Sequence, residues 1–289
     1  MSISIEELRG TRVRDSDAIV RAARNRTVGT VGDRLLLIAA DHPARGSLSA
    51  RGRTDAMADR VDLLERLVVA LGHPGMDGVL GTPDILEDLL LLGALEGRVV
   101  VGSMNRGGLA GSTFEFDDRF TAYDADTLAE MRFEGGKMLT RIALDDPSTA
   151  RTLEQTGQAV SSLARRGLMA MVEPFMSHWQ DGRASNILTA DAVAKSAAIA
   201  SGLGVTSRHT WLKLPVVEGM EKVAASTTLP ILLLGGDPKG RDEEIYEQWR
   251  AALALPGIRG LVVGRALLYP DDDDVGAAVD VAARLVHAD

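Results

Sequence analysis

Residues 209–216 read HTWLKLPV. After the threonine every residue but Lys213 is apolar, and the run is closed by VEGM, with its Glu218 and Gly219. A short continuous apolar segment bounded in this way reads as a strand covered on both faces, as in a parallel sheet. Neighbours on a strand point to opposite sides, so Trp211, Lys213 and Pro215 share one face and Leu212 and Leu214 share the other. With the leucines packed under helices, Lys213 points into whatever the sheet encloses. A buried ammonium is costly, so it either pairs with a carboxylate or gives up its proton.

Seven further runs have the same character: RLLLIAADH (34–42), DGVLGT (77–82), RVVVGSM (98–104), GKMLTRIAL (136–144), LMAMVEPF (168–175), PILLLGG (230–236) and GLVVGRA (260–266). Amphipathic stretches separate them. Examples are 54–72, with Thr54 as its expected cap and Gly72 after it, and 146–167; apolar positions recur there at three and four residues. Strand–helix alternation means a parallel sheet covered by helices. Eight such units predict an α/β fold, one closed (β/α)8 TIM barrel spanning 1–289. The first 30 or so residues form an extra helical segment that covers the barrel bottom. An open doubly wound sheet is the other candidate, but AADHPARG stands after the first strand where a glycine fingerprint would be expected.

The bulk properties narrow the function. The net charge is −9, which argues against non-specific binding to nucleic acid or an anionic membrane. No apolar run approaches the ~18 residues that cross a bilayer, and the opening MSISIEELRGTRVRD lacks a signal-peptide core. The chain has no cysteine, which excludes disulfides and thiolate chemistry and suits a cytoplasmic protein. The acidic run PDDDDV (270–275) reads as a helix start.

In a barrel the chemistry sits at the C-terminal strand ends. Those ends supply Asp41, His42 and Arg45, then Asn105 and Arg106, then Arg141, Glu173 and His178. The last three strands supply Lys213, then Gly235, Gly236 and Asp237, and finally Gly264 and Arg265. On the fourth strand Lys137 shares the parity of Leu139 and Arg141, so a second lysine faces inward with Lys213. By the same count Glu173 and Asp41 face inward. One alternative has Lys137 low in its strand and reaching for the barrel bottom; otherwise the set is either a neutral charge network or the equipment for Schiff-base chemistry. In the second case one cation lowers the pKa of the other and carboxylates move protons. Glycines at the ends of the seventh and eighth strands are either plain turns or, with Arg265, the usual barrel phosphate site. The long segment 105–124 has the length and glycine-rich entry of a lid.

The series AADHP, GGKMLTRIALDDP, MVEPF, WLKLPV, LLLGGD and VVGRAL resembles the class I aldolase group that includes tagatose-bisphosphate, sulfofructose-phosphate and archaeal-type fructose-bisphosphate aldolases. The resemblance is nearest to a branch associated with inositol catabolism. It implies that Lys213 forms the Schiff base, that Asp41, Lys137 and Glu173 complete the catalytic set, and that Gly235, Gly236, Gly264 and Arg265 bind phosphate. The implied reaction is cleavage of a phosphorylated keto-sugar acid, 6-phospho-5-dehydro-2-deoxy-gluconate, to dihydroxyacetone phosphate and malonate semialdehyde. Arg141 or Arg45 would meet the carboxylate, and His42 would contact substrate. No metal or other cofactor is implied.

Three departures from the group bear on substrate: Leu214 stands where the tagatose enzymes carry an acid, Arg141 where an apolar or aromatic residue is expected, and AADHPARG is longer than the usual first-strand motif. The rival readings are a metal-dependent aldolase, for which five histidines offer only His42 and His178 on the active face, an isomerase or epimerase, and a non-catalytic sugar-phosphate sensor. The expected partner is a small phosphorylated sugar, and a homo-oligomer is compatible with the sequence.

Overall fold

The protein is described by a computed structural model that covers residues 4–105, 108–236 and 240–288. Its strands are β1 (Leu35–Ala39), β2 (Gly78–Gly81), β3 (Val99–Ser103), β4 (Gly135–Ile142), β5 (Met169–Gln180), β6 (Arg183–Asn186), β7 (Thr210–Pro215), β8 (Ile231–Leu234) and β9 (Ile258–Val263). All except β6 pair in parallel. Their order β1-β2-β3-β4-β5-β7-β8-β9 closes on itself through the β1–β9 pairing. The architecture is therefore the eight-stranded α/β barrel expected from the sequence, with the expected sixth, seventh and eighth strands appearing as β7, β8 and β9.

Alternate residues of each strand divide as the parity argument requires. Leu35, Leu37 and Ala39 of β1 pack inside the barrel with Val99, Val101, Met169, Met171, Leu232 and Val262, and Trp211 packs against that cluster. The opposite parity, Leu36, Ile38, Leu212 and Leu214 among others, joins the larger core under the helices. Hydrocarbon thus fills the lower part of the barrel, and the charged residues of the same inward parity stand above it.

Two helices, Ile5–Arg14 and Ala18–Asn25, precede β1. They lie to one side of the barrel, where Arg12 binds Glu87 and Asp88 of helix Pro83–Leu91. The segment after them covers the bottom. Fully buried Arg26 donates to the carbonyls of Leu95 and Arg98 and pairs with Glu134, whose carboxylate also accepts from the Gly29 and Val100 amides.

The helix expected from Thr54 starts later. It spans Arg60–Gly72 and is capped by Asp59, whose carboxylate accepts from the Val61 and Asp62 amides. An aspartate satisfying two of the first-turn donors outcompetes an uncapped extension back to residue 54. The acidic run at 270–275 opens helix Val275–His287, as expected, with Asp274 accepting from the Ala277 amide. Among the described residues no helix is long and apolar enough to cross a membrane.

Candidate active site

Lys137 and Lys213 meet over one carboxylate. The β4–β5 register aligns Lys137 with Met171 and Leu139 with Glu173, so Lys137 starts one inward layer below Glu173. Its four-carbon stem rises past that layer, and its Nζ contacts Glu173 and lies 3.1 Å from Asp41 Oδ2. Lys213 Nζ approaches the other oxygen of Glu173 at 3.1 Å. Asp41 is 2% exposed, Lys137 1% and Lys213 3%. Lys137 therefore points up to the mouth and not to the barrel bottom. The four inward residues expected from strand parity form one buried cluster, with Glu173 between two ammonium groups.

His42 follows Asp41 at the mouth. Its Nδ1 lies 3.8 Å from Asp41 Oδ1, and its side chain is 24% exposed. Burial, followed by the positive charges of Arg265 and Lys213, pushes its pKa well below the usual histidine value, which keeps the ring neutral. Gly264 comes so close to β1 that a Cβ there would stand 2.3 Å from the Ala39 carbonyl oxygen and 3.2 Å from His42 Cε1. Only glycine lets the end of β9 approach β1 this tightly. Arg265 follows and donates from Nη1 to the Ser49 carbonyl at 3.4 Å. Gly235 and Gly236 stand just beyond the end of β8, with Gly236 in the left-handed region at φ 62°.

Arg141 is committed elsewhere. Its guanidinium makes a two-pronged bond to Asp118, Nε–Oδ2 at 2.9 Å and Nη2–Oδ1 at 2.6 Å. It also meets Glu115 and covers the Phe116 ring at 5.3 Å. The fork that could have gripped a substrate carboxylate is thus occupied by the segment after β3, which corrects that half of the expectation. Arg45 is held more loosely, with Nη2 3.6 Å from Glu115 Oε1 and its side chain 14% exposed. Burial, then neighbouring Arg141, lowers its pKa.

The segment 108–124 is fastened at several points. Asn105 donates to the carbonyls of Asp118 and Leu139, Phe116 meets Trp179 edge-on at 4.7 Å, and Trp179 Nε1 donates to Asp146 at 2.8 Å. Trp179 is presented by the hairpin of β5 and β6, which turns through Asp181 and Gly182, both with positive φ. The fifth apolar run read from the sequence ends at Phe175, and the hairpin beyond it was not expected. The Asp-Gly pair is the signal that could have identified the hairpin. Glu115 and Asp118 were missed as well, because nothing local to them marks partners 23–26 residues away. Asn105 is consumed by these backbone bonds, His178 lies on the hairpin across from Ser185, and Arg106 and Asp237 lie outside the described residues.

Comparison with known proteins adds the family. The Cgl0159-like family pattern matches residues 33–283, nearly the whole barrel. The chain belongs to that family. The crystal structure of Cgl0159 from Corynebacterium glutamicum is 50% identical to it, covering 99% of this chain and 98% of its own, with a TM-score of 0.95. A Schiff-base-forming fructose-1,6-bisphosphate aldolase superposes with a TM-score of 0.68 at 16% identity, covering 93% of this chain and 100% of its own. An archaeal fructose-1,6-bisphosphate aldolase, with its catalytic lysine covalently bound to a carbinolamine intermediate, gives a TM-score of 0.67 at 16% identity over 93% and 99% of the two chains. At that identity the aldolases share the fold with this member of the Cgl0159-like family. No protein of curated function matches the sequence.

Proposed function

We propose that this protein is a class I aldolase that cleaves a phosphorylated keto-sugar through a Schiff base on Lys213. The observation that carries this reading is the pair of buried amines sharing Glu173 at the C-terminal mouth of the barrel. Asp41 and Glu173 together balance the two amines, and Lys137, facing the same carboxylate as Lys213, adds a second positive charge that favours Lys213 as the neutral amine once it has passed its proton to Glu173. The likeness in fold to Schiff-base-forming aldolases agrees with it.

In this scheme Lys213 passes a proton to Glu173, 3.1 Å from its nitrogen, and attacks the substrate ketone as the neutral amine; Glu173 then returns that proton to the carbinolamine hydroxyl, which leaves as water. The resulting iminium draws electrons from the adjacent carbon–carbon bond. As that bond breaks to an enamine, Asp41 takes the proton of the β-hydroxyl and an aldehyde departs. Protonation of the enamine carbon and hydrolysis then return the free lysine and release the ketone. Gly235, Gly236, Gly264 and Arg265 hold the phosphate, so binding energy far from the reacting bond orients it.

The substrate we infer is a keto-sugar acid, 6-phospho-5-dehydro-2-deoxy-gluconate, split to dihydroxyacetone phosphate and malonate semialdehyde in inositol breakdown. Arg45 supports the choice: it is a loosely paired guanidinium at the mouth, suited to a carboxylate. In this reading His42, neutral at the mouth, contacts the same substrate as a hydrogen-bonding group.

The test is borohydride trapping with dihydroxyacetone phosphate, followed by peptide mass mapping. A reduced adduct on the peptide carrying Lys213, absent in Lys213→Ala together with all turnover, is the expected result. An adduct on Lys137 moves the nucleophile, and turnover that survives in Lys213→Ala overturns the scheme. Faster cleavage of a neutral ketose bisphosphate than of the sugar acid overturns the substrate.

A further inference from the structure

Arg51 sits in a backbone conformation that side chains seldom adopt. The chain reverses at Ala50–Arg53, where the amide of each end residue bonds the carbonyl of the other at 3.0 Å. Arg51 and Gly52 between them have φ 48° and φ 75°, two successive left-handed residues of the type I′ kind. Glycine or asparagine is the ordinary occupant of the first of these positions, so an arginine there points to a reason lying in its side chain.

The side chain reaches two other loops. Nε donates to the Tyr269 carbonyl at 2.7 Å, and Nη1 donates to Asp271 Oδ1 at 2.6 Å and to the Gly240 carbonyl at 3.3 Å. Nη2 pairs with Asp242. The two carboxylates brace each other's backbone, since the Asp271 amide donates to Asp242 at 2.8 Å and the Asp242 amide to Asp271 at 3.3 Å. Arg51 and Asp242 are 14% and 13% exposed and Asp271 51%, so water screens the Asp242 leg little and the Asp271 leg more. Gly240 and Asp242 follow β8, and Tyr269 and Asp271 follow β9. Ser49, two residues before Arg51, accepts from Arg265.

We propose that Arg51 is a positioning residue for the phosphate end of the site. It binds the loop after β1 to the loops after β8 and β9, and so fixes the spacing between Gly235–Gly236 and Gly264–Arg265. This inference rests on reading those residues as the phosphate site. A phosphate held between two strand ends is gripped by donors from both, and its affinity depends on their separation. On the β1 side there is no slack, because Gly264 is already against the Ala39 carbonyl. On the outer side the guanidinium is the tie. Arg51 makes its bonds to protein, and its effect on substrate passes through the loops it holds.

The test compares the parent with Arg51→Gly, which suits the backbone and removes only the tie, and with Asp271→Asn, which keeps the arginine and weakens one leg of the ring. Borohydride trapping is titrated with dihydroxyacetone phosphate and with unphosphorylated dihydroxyacetone, inorganic phosphate serves as the competitor, and the melting temperature is read alongside. In Arg51→Gly the half-saturating concentration of the phosphorylated compound and the inhibition constant of phosphate should each rise about tenfold to a hundredfold. Trapping of unphosphorylated dihydroxyacetone should stay unchanged, and Asp271→Asn should move the same two quantities by less. Equal losses for both compounds would reduce Arg51 to a structural role and overturn the proposal, as would no loss for either. If the parent itself fails to prefer the phosphorylated compound and ignores inorganic phosphate, the phosphate reading falls first and takes the proposal with it. If Arg51→Gly does not fold, Asp271→Asn decides by the same split.

Discussion

His42 shows how one side chain can report on the charge of the whole mouth. It is neutral because it is desolvated and because Arg265 and Lys213 add positive potential. The unfolded chain protonates this residue near pH 6.5, whereas the folded protein resists. Below about pH 6.5 the unfolded state therefore binds the extra proton, and stability falls as pH drops toward the folded-state pKa. Above that window His42 contributes no slope. His42→Gln should flatten the acid side: the loss in urea midpoint from about pH 7 to about pH 5.5 should be smaller than in the parent. An unchanged loss would mean that other groups take up those protons. The same ring, Asp41 and Lys213 were all marked from the sequence, because strand parity and the rule of C-terminal ends act on single residues.

At the scale of elements, the segment after β3 is the part that sequence reasoning described least well. Its length and glycines suggested a lid, but what fastens it was hidden. Asp118 and Glu115 find Arg141 on a strand that is remote in sequence, and Phe116 finds Trp179 on a hairpin that the apolar runs did not reveal. Such pairings are set by the three-dimensional approach of strand ends, and hydrophobic periodicity carries no record of them. Asp118→Asn keeps the shape of the side chain while removing the charge facing Arg141, which is 4% exposed. Urea denaturation should show a loss of about 3 kcal/mol, because a buried guanidinium is left short of its partner. A loss below about 1 kcal/mol would mean that Glu115 alone neutralises it. The strands themselves were legible to within a few residues, since covered parallel strands leave uninterrupted apolar runs. The helix after β1 was misplaced at its start because two cap candidates, Thr54 and Asp59, compete there and only the folded backbone decides.

For the whole molecule, the two ends of the barrel have separate duties. At the bottom, Arg26 gathers carbonyls from 95 and 98 and the carboxylate of Glu134, closing the N-terminal ends of the strands. At the top are the lysines and carboxylates. Arg26→Ala strands Glu134 and several carbonyls, and should lower stability by about 3–5 kcal/mol. Lys213 should be trapped at the parental rate in whatever fraction remains folded. A fall in trapping per folded molecule would show that the bottom also shapes the site. The barrel and its N-terminal helices were readable from pattern alone, but the buried arginine that seals the bottom was not. A single charged residue after an amphipathic helix looks like any solvated one.

The interior of the barrel is stratified by height, with hydrocarbon from Leu35, Val99, Met169 and Leu232 below and the charged residues above. This makes the lower storey a chassis. Changes at Arg45 or His42 leave that hydrocarbon untouched, and the paired Lys137, Glu173 and Asp41 can be exchanged as a set without removing it. A lineage, or an engineer, can therefore exchange the upper storey for a new one without first solving the folding problem again.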